Sequence, residues 1–114
     1  MTQDNSIDNV EVEIRRSYYE SGALYSEAPY ENGKKHGIAK HYYESGALYW
    51  ETTFVNGEMH GIEKWYYASG TLWGEIPYVN GGRHGIAKRY DKDKTNIKYL
   101  VLYKEDREVA SIDI

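Results

Sequence analysis

The stretch "NGKKHG", residues 32–37, returns as "NGEMHG" at 56–61 and as "NGGRHG" at 80–85. Three histidines, His36, His60 and His84, therefore recur every 24 residues, each after an Asn-Gly and before a Gly. Extended outward, the motif belongs to a block that occurs three times without gaps: "YYESGALYSEAPYENGKKHGIAKH" (18–41), "YYESGALYWETTFVNGEMHGIEKW" (42–65) and "YYASGTLWGEIPYVNGGRHGIAKR" (66–89). Any two copies agree at more than half of their positions, which shared composition cannot produce. A self-similar period of this length marks a repeat architecture.

Within each block, two short runs rich in aromatic and β-branched residues are separated by two glycine-bearing corners. "IAKHYY" and "ALYWETTFV" read as strands rather than helices. Asn-Gly at Asn32-Gly33, Asn56-Gly57 and Asn80-Gly81 signals a tight hairpin turn, because both central residues of that turn need positive φ. The other corner, "ESG" at 44–46, suits a three-residue loop with Gly46 left-handed, followed by a bulge. Read instead as a two-residue turn, it would set Lys40 opposite Glu51 and Trp65 over Gly74, which is the better side-chain match. Both registers are open from the residues. Pro29 and Pro77 stand at one matching position late in the second strand, where a missing amide donor marks interrupted pairing.

The chain is thus expected to be all-β: an elongated, open-edged twisted sheet, an antiparallel meander of eight or nine short strands. At 114 residues it is one domain, 1–114. A cap strand over 10–17 precedes the full repeats 18–41, 42–65 and 66–89, and a degenerate repeat with a C-terminal cap fills 90–114. Tyr103 takes the place of Phe54, and Ile97 that of Leu48, if one residue is inserted. At the other end Ile14 and Arg16 stand as Ile38 and Lys40 do. Worn terminal copies are what a repeat array needs as caps. Charged ends, "VEVEIRR" and "KEDRE", protect the open edges, and "DKDK" at 91–94 reads as solvated. Along the second strand, alternation is expected to put Leu24, Leu48 and Leu72 with Tyr30, Phe54 and Tyr78 on a core face. Tyr25, Tyr49 and Trp73 then fall with Glu27, Glu51 and Glu75 on the other.

Thirteen of the seventeen aromatic residues are Tyr, which suits half-buried surfaces where the ring packs and the hydroxyl stays wet. A net charge of −4 argues against tracking nucleic-acid phosphates and weakens docking on anionic lipid. The absence of cysteine excludes disulfides and thiolate metal sites and fits a reducing cytoplasm. "MTQDNSIDNVEVEI" has neither a basic start nor an apolar h-region, and no apolar run approaches a membrane span.

The "Y-x-N-G-x-x-H-G" core, Tyr30-Glu31-Asn32-Gly33 to His36-Gly37 and its two copies, with the aromatic pair and second glycine turn that follow, resembles the MORN repeat (membrane occupation and recognition nexus). More narrowly it resembles the bacterial variant, many of whose members are described as antitoxin components of toxin–antitoxin systems. The resemblance covers residues 18–104. The usual repeat has a second glycine two residues after the His-Gly, where this chain has Ala39, Glu63 and Ala87. The resemblance implies a non-catalytic scaffold or binding surface, with no single ligand common to the family.

A histidine row could in principle hold a metal or switch with pH, but adjacent copies lie two strands apart, about 9–10 Å, too far to share one ion. No metal and no cofactor is expected. Asn32, Gly33, His36 and Gly37, with Asn56, Gly57, His60, Gly61 and Asn80, Gly81, His84, Gly85, are read as turn architecture, the histidine capping the turn by bonding backbone and packing over the following glycine. Glu27, Glu51 and Glu75 could form a catalytic carboxylate pair. The Lys40, Lys64 and Lys88 ladder beside them reads instead as cross-strand charge pairing. Ser21, Ser45 and Ser69 are explained by turn chemistry. No enzyme is expected.

Specificity is better sought where the copies differ: Ser26/Trp50/Gly74, Ser17/His41/Trp65/Arg89 and Lys35/Met59/Arg83. The middle repeat collects Trp50, Met59 and Trp65, with Tyr49 and Trp73 nearby. These five are the candidate partner-binding residues, since exposed aromatics and methionine mark protein contact surfaces. Covering the sheet, or closing a homodimer, would account for the same cluster. The expected function is a non-catalytic protein-binding module, an antitoxin or immunity-type protein whose acidic surface suits a basic toxin. The alternative is a phospholipid or membrane-surface scaffold.

Overall fold

The computed structural model of the protein describes residues 10–92 and 96–114. The first nine residues of the N-terminal stretch, the second half of "DKDK" and Thr95 lie outside the described residues. Everything described is strand or turn. The strands are β1 (Val12–Tyr18), β2 (Leu24–Glu31), β3 (Lys34–Lys35), β4 (Gly37–Tyr42), β5 (Leu48–Val55), β6 (Glu58–Met59), β7 (Gly61–Tyr66), β8 (Leu72–Val79), β9 (Gly82–Arg83), β10 (Gly85–Tyr90), β11 (Ile97–Lys104) and β12 (Arg107–Asp113). Nine of them form one antiparallel meander, β1-β2-β4-β5-β7-β8-β10-β11-β12. The two-residue strands β3, β6 and β9 are only the returning arms of the Asn-Gly hairpins on β2, β5 and β8. With a radius of gyration of 17.2 Å, the molecule is more extended than the about 13 Å of a compact domain of this length.

Both corners follow from backbone chemistry. Asn32, Asn56 and Asn80 have φ of 51°, 49° and 48°, and the glycine after each is left-handed as well. This is the geometry of the tight turn that matches strand twist. Past the hairpin, the chain breaks at Gly37, Gly61 and Gly85, with φ of 117°, 114° and 118°, before entering the next long strand. A Cβ on Gly37 would sit 2.8 Å from Pro29 Cγ, so glycine and proline fit against each other where pairing is interrupted. Only Ser26 and Glu27 of β2 pair with β4, at His41 and Lys40.

The Ser-Gly corner satisfies both registers at once. Gly46 N donates to Tyr43 O and Tyr43 N donates to Ala47 O, enclosing a three-residue loop, Glu44-Ser45-Gly46. Tyr42 then opposes Leu48, but His41 opposes Trp50 and Lys40 opposes Glu51. Tyr49 is the extra residue of a β-bulge, and it restores the side-chain pairs that the longer loop alone would break. Tyr25, Trp73 and Lys98 are extra in the same way.

The bulge also corrects the expected faces. Simple alternation fails across it, so Leu24, Leu48 and Leu72 lie with Glu27, Glu51 and Glu75 on the outer face. Leu48 opposes Tyr42, whose hydroxyl reaches Glu27. Tyr25, Tyr49 and Trp73 lie with Tyr30, Phe54 and Tyr78 on the inner face, where Tyr49 meets Trp65 at 5.5 Å. The inner face carries all the deeply buried side chains among the described residues: Ala39, Thr52, Glu63, Ala87 and Val101. They form the row next to the large rings, which lean over these small side chains. The outer face is open. Its isoleucines Ile14, Ile38, Ile62 and Ile86 are each about half exposed.

Candidate interaction face

Two rows at the sheet margins join each repeat to the next. Along the Asn-Gly margin, Asn56 N donates to His36 Nδ1 (3.1 Å), and Gly57 N donates to Lys35 O (2.8 Å). His60 receives Asn80 N at 3.4 Å, while Gly81 N donates to Met59 O. The histidine thus caps a turn, but that of the following repeat. The reason is direction. Gly37 turns the chain away from its own hairpin and toward the next strand, leaving the imidazole facing the neighbouring turn. As an acceptor, Nδ1 must be unprotonated. At the opposite margin, the Tyr19 hydroxyl donates to Tyr42 O (2.6 Å), Tyr43 to Tyr66 O (2.7 Å) and Tyr67 to Tyr90 O (3.3 Å). The second tyrosine of each Tyr-Tyr pair is therefore also an inter-repeat contact, and the tyrosine excess has a structural cause.

Two of the three sets of differing positions come together elsewhere. Ser17, Ser26, His41, Trp50, Trp65, Gly74, Arg89, Tyr99 and Asp113 oppose one another pair by pair and form one unbroken row across the inner face, from β1 to β12. The rings of His41 and Trp50 are 4.6 Å apart, those of Trp50 and Trp65 6.1 Å, and those of Trp65 and Trp73 6.3 Å. Tilted and edge-to-face contacts at these distances are the favoured aromatic geometries, and they hold the rings in place before any partner arrives. Of the five candidate residues, Tyr49, Trp50, Trp65 and Trp73 belong to this cluster. Met59 does not: it opposes Phe54, further along the strands toward the Asn-Gly margin.

Sequence reasoning missed several members. Tyr25 contacts His41 at 5.2 Å, and Tyr43 contacts Tyr49 at 5.0 Å. Burial, with a smaller effect of the Lys35 charge, lowers the His41 pKa, favouring a neutral ring among the aromatics. The variable positions pointed to His41 alone among these; Tyr43 is the same in every copy, and strand alternation without the bulge put Tyr25 on the face opposite the row. Glu63 is the other omission. Although almost fully buried, it accepts the Trp50 indole N–H at 2.6 Å. Nearby, burial and then the Glu63 carboxylate raise the Tyr78 pKa, keeping that phenol protonated. The copies place Ser26 with Ala39, Trp50 with Glu63 and Gly74 with Ala87, so the acid accompanies the large ring that it fixes.

The glutamates once considered for catalysis stand on the outer face, in a row where Arg16, Lys40, Lys64 and Lys88 alternate with Glu27, Glu51 and Glu75. Among the described residues only Arg16 and Glu27 of this row close to an ion pair, at 3.1 Å. The lysines oppose glutamates in register without reaching them. Tyr42 and Tyr90 donate to Glu27 and Glu75. Burial first, and the adjacent carboxylates second, raise the pKa of both phenols. Among the described residues, no three His, Asp or Glu side chains converge as metal donors would.

The model of the MORN repeat variant family matches residues 14–32, 35–56 and 59–80, more than half of the chain. The chain belongs to this family. The MORN repeats lie out of phase with the 24-residue blocks, each matched segment spanning one Ser-Gly corner and the following long strand. No curated protein matches the sequence. Among solved structures, the chain is similar to a variant of S. aureus TarM in complex with fondaparinux, α-GlcNAc-glycerol and UDP, with TM-score 0.54 and 9% identity over 88% of this chain. It is also similar to TarM, with TM-score 0.53 and 10% identity over 89% of this chain. The MORN chain spans only about a fifth of the length of either, 21%. At such identity the likeness is one of fold.

Proposed function

We propose that this MORN chain is a non-catalytic protein-binding module that works in the cytoplasm and holds its partner across the inner-face row. In its narrower form the proposal is an antitoxin or immunity-type role, the partner being neutralised because its surface is covered. The observation that carries the reading is the placement of difference: two of the positions that vary most between otherwise matching copies, Ser26/Trp50/Gly74 and Ser17/His41/Trp65/Arg89, fall into one continuous row across the inner face. A scaffold with no partner has no need to concentrate Trp50, Trp65 and Trp73 there. Half-exposed aromatics around an ordered centre are the residues that dominate protein interfaces. A net charge of −4 favours a basic partner and speeds its encounter. A one-layer sheet with its carboxylate row on the open outer face offers little of the closed pocket that catalysis uses.

The alternative is a lipid surface met by the outer face, where the exposed isoleucine row supplies a flat apolar strip. The lysines beside that strip alternate with glutamates, which weakens attraction to anionic headgroups.

The test is capture from lysate of the native host, with mass-spectrometric identification. The control is a row swap, Trp50→Ser/Glu63→Ala/Trp65→His, which gives the middle repeat the side chains that the first repeat already carries. A single stoichiometric protein held by the wild type and lost by the folded swap supports the module. Nothing retained above background overturns it, and sedimentation with anionic vesicles would then take the lipid reading forward.

A further inference from the structure

The variable row opens where its side chains are small. At Gly74 the third repeat lacks the side chain that Ser26 and Trp50 supply in the others, and the gap is a small cleft of about 160 Å³. Trp65 and Trp73 wall it on one side, Arg89 and Tyr99 on the other, and Ile76 and Ala87 floor it. In the first repeat the equivalent place is a cleft of similar volume, about 170 Å³, but Ser17, Ser26, Ala28, Ala39 and His41 line it in place of the tryptophan and arginine walls, and in the second it is filled by Trp50 itself. Gly74 is also held as glycine by its neighbours: a Cβ there would approach the Lys88 carbonyl oxygen to 2.9 Å. The cleft is therefore built into the pairing of β8 with β10.

Its rim is cationic. The Arg89 guanidinium lies over the Trp73 ring, 5.1 Å from the centroid, and its Cγ flanks the position a Gly74 Cβ would take. Arg15, Arg16 and Arg83 each hold a carboxylate of this chain at 2.7–3.1 Å, whereas Arg89 closes no such pair among the described residues. Lys98, the extra residue of the bulge between β10 and β11, adds a second positive charge beside Arg89. Asp113 is the acidic group at this end and stands across Tyr99 from Arg89. The cleft is smaller than the several hundred Å³ usual for a free small-molecule ligand, but it suits one side chain of a larger partner.

We infer that the Gly74 cleft receives an aromatic or branched aliphatic anchor side chain of the protein partner, with a carboxylate of that partner next to the anchor bound by Arg89. This rests on the protein-binding reading and deepens it. The apolar walls select the anchor, and the stacked guanidinium, planar and prepositioned by Trp73, selects the acid. A basic partner drawn in by the overall charge needs only one such acid beside its anchor.

The experiment titrates the full ¹⁵N-labelled chain with 3-phenylpropionate, and separately with 3-phenylpropionamide, following amide and indole resonances by NMR. Saturable shifts are expected at Gly74, Trp65 and Trp73, with the carboxylate binding at least about threefold tighter than the amide. Arg89→Gln should remove that preference, so that acid and amide bind alike, and Trp73→Ala should weaken both probes. Shifts absent from these residues, or a preference that survives Arg89→Gln, would overturn the inference. Capture of a partner separates this outcome from the parent reading. If Arg89→Gln and Trp73→Ala retain a partner that the row swap loses, the module stands and the cleft assignment falls. If no partner is captured yet the probe shifts depend on Arg89, the cleft stands as a site and the protein-binding reading falls.

Discussion

The margins of the sheet and the row across its inner face obey opposite rules. At the margins the same contacts recur from copy to copy, made by a constant side chain or by backbone: His36 with Asn56, the Lys35 carbonyl with Gly57, Tyr43 with Tyr66. In the row the copies differ at every step, from serine through histidine and two tryptophans to glycine and arginine. Repetition builds a surface of fixed spacing, and variation then writes one specific strip on it. The same division explains why a sheet with one layer holds together. With few side chains deeply buried, stability depends on contacts between neighbouring repeats, as in other solenoid-like arrays.

The margin half of this comparison breaks most severely at the glycine after the histidine. Gly37→Ala forces a side chain into a glycine-only backbone and against Pro29, and should cost about 2–4 kcal/mol. In Gly61→Ala the nearest side-chain atom is Thr53 Cβ at 3.6 Å, so the loss should stay nearer 1–2 kcal/mol. Chemical denaturation of the two variants ranks them directly. Next in size is a test within the row. Trp50→Ala strands the Glu63 carboxylate without its indole donor and should cost about 2–3 kcal/mol. Adding Glu63→Ala should recover part of that loss, a rescue that a purely apolar role for Trp50 does not produce. Tyr43→Phe removes one hydroxyl-to-backbone bond and should cost about 1 kcal/mol, with Tyr67→Phe costing less because its bond is longer.

The smaller effects sharpen the picture at the ends. Glu105 and Asp106 occupy the last tight turn with φ of 51° and 64°, where the other repeats use Asn and Gly. Asp106 makes up for this by pairing with Arg83 at 2.7 Å, a bond that lowers its pKa. Glu105 has only its amide bonded, to His84. Glu105→Asn should therefore stabilise the protein by about 0.5–1 kcal/mol. The smallest expected effect is on pH dependence. The His41 pKa is lowered in the folded chain, so the unfolded chain binds its proton more readily. Stability should fall as pH drops through the ordinary histidine range near 6.5 toward the lowered value. His41→Phe should flatten that slope.

Most of the architecture was legible because turn chemistry is local. Asn56-Gly57 demands positive φ wherever it stands, and a period of 24 tells which strands repeat. What failed was whatever depends on one extra residue. Tyr49 looks like an ordinary strand position, and nothing in its identity announces a bulge, so Leu48 was assigned to the wrong face and the aromatic row was split. The destination of the His36 side chain was equally hidden, since it depends on how Gly37 redirects the chain. At the candidate site, differences between copies pointed to the right positions before any contact was known. Only the register could show that Trp50, Trp65, Gly74 and Arg89 are neighbours, that Met59 stands apart, and that Glu63 belongs with Trp50.

The most direct test of the account measures thermal unfolding and partner affinity on the same two proteins, the row swap and Tyr43→Phe. The account predicts that the row swap stays folded, with a cooperative melt, and loses the partner, while Tyr43→Phe melts earlier than the wild type and binds as the wild type does. A row swap that still binds, or a Tyr43→Phe protein that stays stable yet loses the partner, would contradict the division of the molecule into margins that build and a row that binds.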